Sequence, residues 1–146
     1  SIMEVDEALG EIIEDIEKDD VLRASSVIIL TADHGGGAPR DSHWVAHDPQ
    51  NYTIPFLVWS PAGIEGADLY GINADLRVDP GDRRIPGAPA PDQPIRSADA
   101  GNLALALLDL PSIPGSVYGV DARLRVRAAE RGAIGAGRTS AEPVSP

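Results

Sequence analysis

The sequence predicts an α/β fold, and three observations predict it. Residues 2–18 carry apolar side chains at spacings of three and four. Residues 26–31 read as a short strand around the uninterrupted aliphatic run Val27 to Leu30. Residues 52–60 form a second run, rich in aromatic and β-branched side chains. A helical period beside short strand-like runs is the pattern of helices layered on a sheet. The expected arrangement sets strands 26–31 and 52–60 side by side in one sheet, with helices 2–18 and 98–110 packed on it.

In the first helix, Ile2, Val5, Leu9, Ile12, Ile13 and Ile16 make one apolar stripe. Glu4, Glu7, Glu11, Asp15 and Lys18 fall mainly on the other side. That acidic face reads as a solvated surface rather than a calcium- or partner-binding one. Asp19-Asp20 ends the helix, and a short loop leads to the strand. Val27 to Leu30 read as a strand buried on both faces. It stops abruptly at Asp33-His34-Gly35-Gly36. The carboxyl ends of strands in open α/β sheets are where such folds place their ligands. The two glycines let the backbone turn there, which can swing Asp33 and His34 toward one point. A carboxylate beside an imidazole suits a divalent metal such as zinc or manganese. The alternative is a polar turn in which Asp33 binds loop amides.

Residues 37–50 read as a polar loop holding His43, Trp44 and His47. Either imidazole could be a ligand or a surface side chain. Trp44 either walls a substrate pocket or covers the sheet edge. Pro55 lacks a ladder donor, so strand 52–60 is expected at an edge, bulged or irregular at that point. Residues 61–96 read as a long loop, with an extended, exposed Pro/Gly stretch at 80–94. Asp68, Tyr70, Asn73 and Asp75 lie in it and could contact a substrate, but their spacing is not diagnostic. Ser97 or Asp99 can cap the last helix. For Asp99 that reading is preferred over a site role. Leu103, Leu107 and Leu110, with Ala104 and Leu108, form its stripe, and Pro111 stops it. Residues 128–146 have almost no large apolar side chains, the composition of a disordered tail.

The 146 residues are enough for one domain, and a hydrophobic content of 42% supplies a core. No apolar run approaches the roughly 18 residues of a membrane span. Ser1 to Asp6 lack the basic start and apolar stretch of a signal peptide. The absence of cysteine excludes disulfides and thiolate metal sites. A net charge of −11 argues against binding a nucleic-acid polymer, which needs a basic surface. It does not exclude a small anionic substrate, because a bound metal reverses the local sign.

Three segments, taken in order, resemble the alkaline phosphatase superfamily, in particular its phosphodiesterase and nucleotide-pyrophosphatase-like branch. These are Thr31-Ala32-Asp33-His34-Gly35-Gly36, the strand Asn51-Tyr52-Thr53-Ile54-Pro55-Phe56-Leu57-Val58-Trp59-Ser60-Pro61, and the segment Gln93 to Leu108. The likeness spans roughly residues 1–118. It implies that residues 1–127 are the C-terminal portion of a catalytic domain with a three-layer α/β/α sandwich. It implies two divalent metals, Zn2+ or else Mn2+, of the kind that sit about 4 Å apart. By the family's pattern Asp33 and His34 hold the metal nearest the nucleophile. His43 completes the other, since its offset before Asn51 fits better than that of His47. The nucleophile and an Asp-x-x-x-His pair are expected upstream of Ser1, so no catalytic nucleophile is assigned in this chain, and the chain alone is expected to be inactive. The implied reaction is hydrolysis of a small anionic phosphate ester through a covalent intermediate. Phosphodiester, phosphomonoester, phosphonate and sulfate ester stay open as substrates. A periplasmic or secreted location goes with the resemblance. Two alternatives are kept: a metal-dependent phosphosugar mutase of the same superfamily, and a non-catalytic acidic module that binds cations.

Overall fold

A computed structural model of the chain describes residues 2–37, 43–62, 64, 66–81, 93–116 and 124–127. In chain order the elements are helices α1 (Ile2–Lys18) and α2 (Asp20–Ser25), strand β1 (Ile28–Thr31), a 3-10 turn (Pro49–Asn51), strand β2 (Phe56–Trp59), and helices α3 (Leu69–Ile72) and α4 (Asp99–Leu107). The expected tail at 128–146 and most of the Pro/Gly stretch, residues 82–92, lie outside the described residues.

Helix α1 has the predicted bounds, but Asp19-Asp20 does more than end it. The Asp19 carboxylate accepts the Val21 and Leu22 amides at 2.8 and 3.0 Å and starts a second helix, α2. An acid placed to accept two orphan amides opens a helix as readily as it interrupts one. The expected loop before the strand is therefore helical. Among the described residues α1 packs against α2 and not on the sheet, contrary to expectation. Its stripe is only partly covered: Ile2, Val5 and Ile12 are exposed, while Leu9, Ile13 and Ile16 are half-buried.

Strands β1 and β2 pair antiparallel, Ile28 opposite Trp59 and Thr31 opposite Phe56. They form a two-stranded sheet among the described residues. A three-layer sandwich is not what these residues build by themselves. Every residue of β1 is half-buried, where burial on both faces was expected. Strand β2 begins just after Pro55, whose carbonyl accepts the Thr31 hydroxyl at 3.0 Å. Because the strands run antiparallel, the carboxyl end of β1 meets the start of β2. That junction brings residues 33–34 beside residues 51–54. At the other end the Ser60 hydroxyl donates to the Ser26 carbonyl at 2.7 Å.

The segment after β2 contains one short helix, α3, where a loop was expected. Asp68 caps it by accepting the Tyr70 and Gly71 amides. Asn73 is fully buried and holds residue 125 across the fold. Its Nδ2 donates to the Leu69 and Arg125 carbonyls, and its Oδ1 accepts the Arg125 amide, all at 2.8 Å. Arg125 also forks onto both oxygens of Asp75. That guanidinium holds the Asp75 carboxyl below the usual carboxylate range.

Helix α4 packs on β1. It ends at Leu107, four residues before Pro111. Asp109 turns into the left-handed region at φ 55°, and the Leu110 amide donates back to Leu105 at 2.9 Å. That terminus satisfies a helix carbonyl without needing the proline. Leu103 is buried, but Leu107, Leu108 and Leu110 are exposed, so the predicted stripe is covered only at its start. Asp99 is not a conventional cap of α4. Its Oδ2 reaches back to accept the Arg96 amide at 2.9 Å, and its Oδ1 accepts Arg77 Nη2 at 3.1 Å. The Asp99 and Arg77 side chains are only 4% and 7% exposed. Removing one member of a buried ion pair strands the other charge in a poor solvent. Asp99→Ala is therefore expected to destabilise the fold by about 3 kcal/mol, read as a lower urea midpoint. A loss under about 0.5 kcal/mol, the usual scale of surface changes, would show that the pair is not a structural anchor.

Candidate functional site

The site grows from the end of β1. After Thr31 the chain leaves the sheet, and Asp33 Oδ1 accepts the amide of His34 at 2.9 Å. The polar-turn bonding foreseen for Asp33 is thus present, and it leaves Oδ2 available for a second task. His34 Nδ1 lies 2.9 Å from the Gly35 carbonyl. A carbonyl can only accept, so Nδ1 is the donor in this contact. That Nε2 lies 3.4 Å from Asp33 Oδ2. An imidazole anchored by one ring nitrogen to a backbone carbonyl, leaving the other at the mouth of a site, is how metal-binding histidines are oriented.

Gly35 makes this turn possible. Its amide donates to the Asn51 carbonyl at 2.8 Å. A Cβ there would run into the carbonyl oxygens of Gln50 and Thr53. Both obstacles are backbone, so no side chain can simply move aside. The loop segment from residue 43 onward is tied to the same strand. Asn51 Nδ2 donates to the Val45 carbonyl at 2.7 Å, and the Tyr52 hydroxyl donates to the Ala46 carbonyl at 3.0 Å. The Asp48 carboxylate accepts the Gln50 amide and caps the 3-10 turn.

This stapling sets the loop histidines apart. The His43 ring lies 4.2 Å from the His34 ring, centroid to centroid, and is tilted by 43°. The Trp44 ring lies parallel to that of His43, with planes within 3° and centroids 6.2 Å apart. Trp44 is itself 86% exposed. His47 sits exposed in the turn that follows.

Asp33 and His34 open onto a cleft of about 360 Å3. Asn51 to Ile54 supply part of its lining, and Tyr70, Asp79, Arg96 and Ser97 contribute further polar groups. Burial raises the Tyr70 phenol above its ordinary value, only partly offset by the Ile95 amide that donates to its oxygen at 3.2 Å. The hydroxyl therefore stays protonated at neutral pH and can itself donate. A raised pKa means that the native state favours this neutral form. Its stabilising effect is complete below pH 10 and lost as pH rises through the native value. Of the four loop residues singled out for a substrate role, Tyr70 lines the cleft. Asp68, Asn73 and Asp75 are engaged in capping and in holding Arg125.

Chemically, the Asp33–His34 pair offers a carboxylate oxygen and an imidazole nitrogen 3.4 Å apart, a donor combination that suits a divalent cation. Two protein donors fall short of the three that a catalytic zinc takes. No cluster of three or more acids and histidines is placed to hold a metal among the described residues. His43 approaches through its ring rather than as a third donor in that cluster.

The sulfatase profile matches residues 1–79, which contain the Asp33–His34 turn, the His43 loop and β2. The chain belongs to the sulfatase family. Its members are hydrolases of the alkaline phosphatase superfamily, so the chain is assigned to an α/β enzyme lineage that cleaves esters. No curated protein and no solved structure matches the chain. The segment at 93–108 lies outside the family match, yet it supplies Arg96 and Ser97 to the cleft. No helix among the described residues is long and apolar enough to cross a membrane.

Proposed function

We propose that residues 1–127 are the C-terminal portion of a metal-dependent ester hydrolase of this family, acting on a small anionic phosphate ester. The observation that carries the reading is the oriented His34. Its Nδ1 is tied to Gly35, and its Nε2 stands beside Asp33 at the mouth of a polar cleft. In this reading Asp33 and His34 bind one divalent metal, Zn2+ or Mn2+, and His43 contributes to a second. A bound metal of this kind supplies charge neutralisation on the transferring group and lowers the pKa of a water. The chain's own contribution is to hold the donors. Gly35 permits the turn, the Asn51 and Tyr52 bonds fix the loop, and Tyr70 can donate a hydrogen bond into the cleft. The nucleophile and the remaining ligands are supplied by a region outside these residues. A periplasmic or secreted location accompanies the proposal.

The family match by itself favours sulfate-ester chemistry over phosphate-ester chemistry. The strand from Asn51 to Pro61 supports the phosphodiesterase-like branch by its resemblance. The two are separated by assaying the full-length protein with an aryl phosphodiester, an aryl phosphomonoester and an aryl sulfate, before and after chelation. The proposal expects chelator-sensitive turnover, highest on the phosphodiester. Preference for the sulfate would overturn the branch but keep the superfamily. Turnover of none of the three with added Zn2+ or Mn2+ would remove the hydrolase reading. The mutase alternative predicts phosphosugar isomerisation without ester hydrolysis.

The loop histidines give a second test. His43→Ala is expected to lower metal content and turnover more than His47→Ala, because His43 contacts His34 while His47 points from an exposed turn. A roughly tenfold gap in kcat/KM is expected, the low end for groups that orient metal ligands. A greater loss with His47→Ala would reverse the assignment within the loop.

A further inference from the structure

We infer that the Tyr70 hydroxyl hydrogen-bonds an uncharged oxygen on the alcohol portion of the ester, and so favours esters that carry such an oxygen over hydrocarbon ones. The inference rests on the hydrolase reading above and deepens it, by naming a specificity-determining residue away from the Asp33–His34 turn.

Tyr70 stands in α3, and Ile95 in the segment before α4. Both line the cleft onto which Asp33 and His34 open. The Ile95 amide donates to the Tyr70 hydroxyl oxygen at 3.2 Å, and among the described residues it is the hydroxyl's only hydrogen-bond partner. A phenol carries one donor proton beside its acceptor capacity. The Ile95 bond uses the acceptor and leaves the proton to be given. An amide donating to the oxygen also polarises the O–H bond and makes it a better donor.

Both sides of this contact are anchored. Asp68 holds the start of α3 by accepting the Tyr70 and Gly71 amides at 3.3 and 2.8 Å. Next to Ile95, the Arg96 amide donates to Asp99 Oδ2 at 2.9 Å, and Arg77 Nη2 donates to Asp99 Oδ1 at 3.1 Å. A donor fixed before the ligand arrives reduces the ordering cost of binding.

Two observations assign this donor to the alcohol portion rather than to the anionic group. In the hydrolase reading the anionic group belongs at the metal, beside Asp33 and His34. A cleft of about 360 Å3 leaves room for more than that group, since pockets for whole small molecules start at roughly 300 Å3. The phenol itself is kept protonated by burial first, and then by the carboxylates of Asp79, Asp68 and Asp99. Surroundings of that sign repel a second anionic oxygen but accept a neutral one. A hydrocarbon placed there displaces water from the hydroxyl without replacing its hydrogen bond.

The test uses the full-length protein and three alkyl phosphates of matched length: 2-methoxyethyl, 3-hydroxypropyl and butyl phosphate. The corresponding alkyl sulfates are run in parallel. Affinities are read by calorimetric titration, with bound metal measured in each sample. In the wild type at least one oxygen-bearing ester should bind roughly 3- to 10-fold more tightly than the butyl ester, the scale of one neutral hydrogen bond. Tyr70→Phe keeps the ring and should erase that margin, with butyl affinity and metal content unchanged. A merely structural role would instead weaken all the esters alike, and that result would overturn the inference. So would a wild type that binds the esters equally or not at all, or a margin that survives Tyr70→Phe. If Tyr70→Phe does not fold, 3-fluorotyrosine at position 70 decides. Its more acidic hydroxyl should widen the margin, and an unchanged or narrower one would overturn the inference. A Tyr70-dependent margin without hydrolysis of any ester would overturn the proposed reaction and uphold the subsite. Hydrolysis without the margin would do the reverse.

Discussion

Asp33→Asn, made in the full-length protein, is expected to lose both bound metal and turnover. The substitution keeps the shape of the side chain and one carbonyl oxygen, so the bond from the His34 amide can persist. It removes the negative charge beside His34 Nε2. A divalent cation facing one neutral nitrogen and one neutral amide oxygen is held far less well than one facing a carboxylate. Partners that merely orient ligands are worth roughly 10- to 100-fold in affinity or activity, so a ligand itself should cost at least about 100-fold. His34→Ala should match it, by removing the nitrogen that Gly35 orients. Both side chains are largely exposed, so the loss should come without a large drop in melting temperature. Metal content by atomic absorption and kcat/KM on the aryl phosphodiester check this together. Wild-type metal content in Asp33→Asn would mean that the Asp33–His34 turn is only a polar turn. Diffuse, weak metal binding insensitive to either substitution is what the non-catalytic acidic module predicts.

The parts of this chain that were legible in advance are the local ones. The stripe from Ile2 to Ile16 predicted α1 with its bounds, because helical period is a property of near neighbours. Pro55 predicted an interrupted strand, because a missing amide acts on the residue itself, and β2 begins one residue later. The abrupt end of an aliphatic run at Asp33-His34 predicted a turn with two polar side chains at its tip. What was not legible depends on distant partners. Asp19 reads equally well as the end of one helix or the start of another, and only the bonds to Val21 and Leu22 decide. Asp99 reads as a helix cap until Arg77, 22 residues away, is seen against it. Arg96 stood out only as part of the Gln93 to Leu108 segment. It precedes a helix in the sequence, and it lines the cleft because the chain brings residues 94–97 beside residues 33–34. Tyr70 stood among four loop residues with no spacing to separate them, and its place in the cleft follows from the tertiary packing of α3.

Residues 1–146 expressed alone are expected to self-associate, to bind a hydrophobic dye, and to show no metal-dependent ester hydrolysis. Among the described residues only Leu103 and Leu124 are buried apolar side chains. Half of the α1 stripe and the second half of the α4 stripe face solvent: Ile2, Val5, Ile12, Leu107, Leu108 and Leu110 are exposed, and so is Met3 beside them. Exposed apolar surface of this extent is a site for association, either with a partner surface or with other copies. The sheet adds to the tendency. A two-stranded ribbon has an unpaired edge on each side and is marginal in water without more strands or a covering helix. Helix α4 covers part of β1, but α1, the longest helix among the described residues, does not reach the sheet. The two donors at Asp33 and His34 also leave any metal short of ligands, so affinity should be weak and the site inactive. Size-exclusion chromatography, dye fluorescence and a zinc-supplemented ester assay measure the three outcomes. Co-production with the nucleophile-bearing region that the proposal requires should suppress dye binding and restore turnover together, because one interface would cover the apolar faces and complete the metal sites. A monomeric 1–146 that unfolds cooperatively and hydrolyses the ester with added zinc would refute the expectation, and would place the nucleophile within these residues.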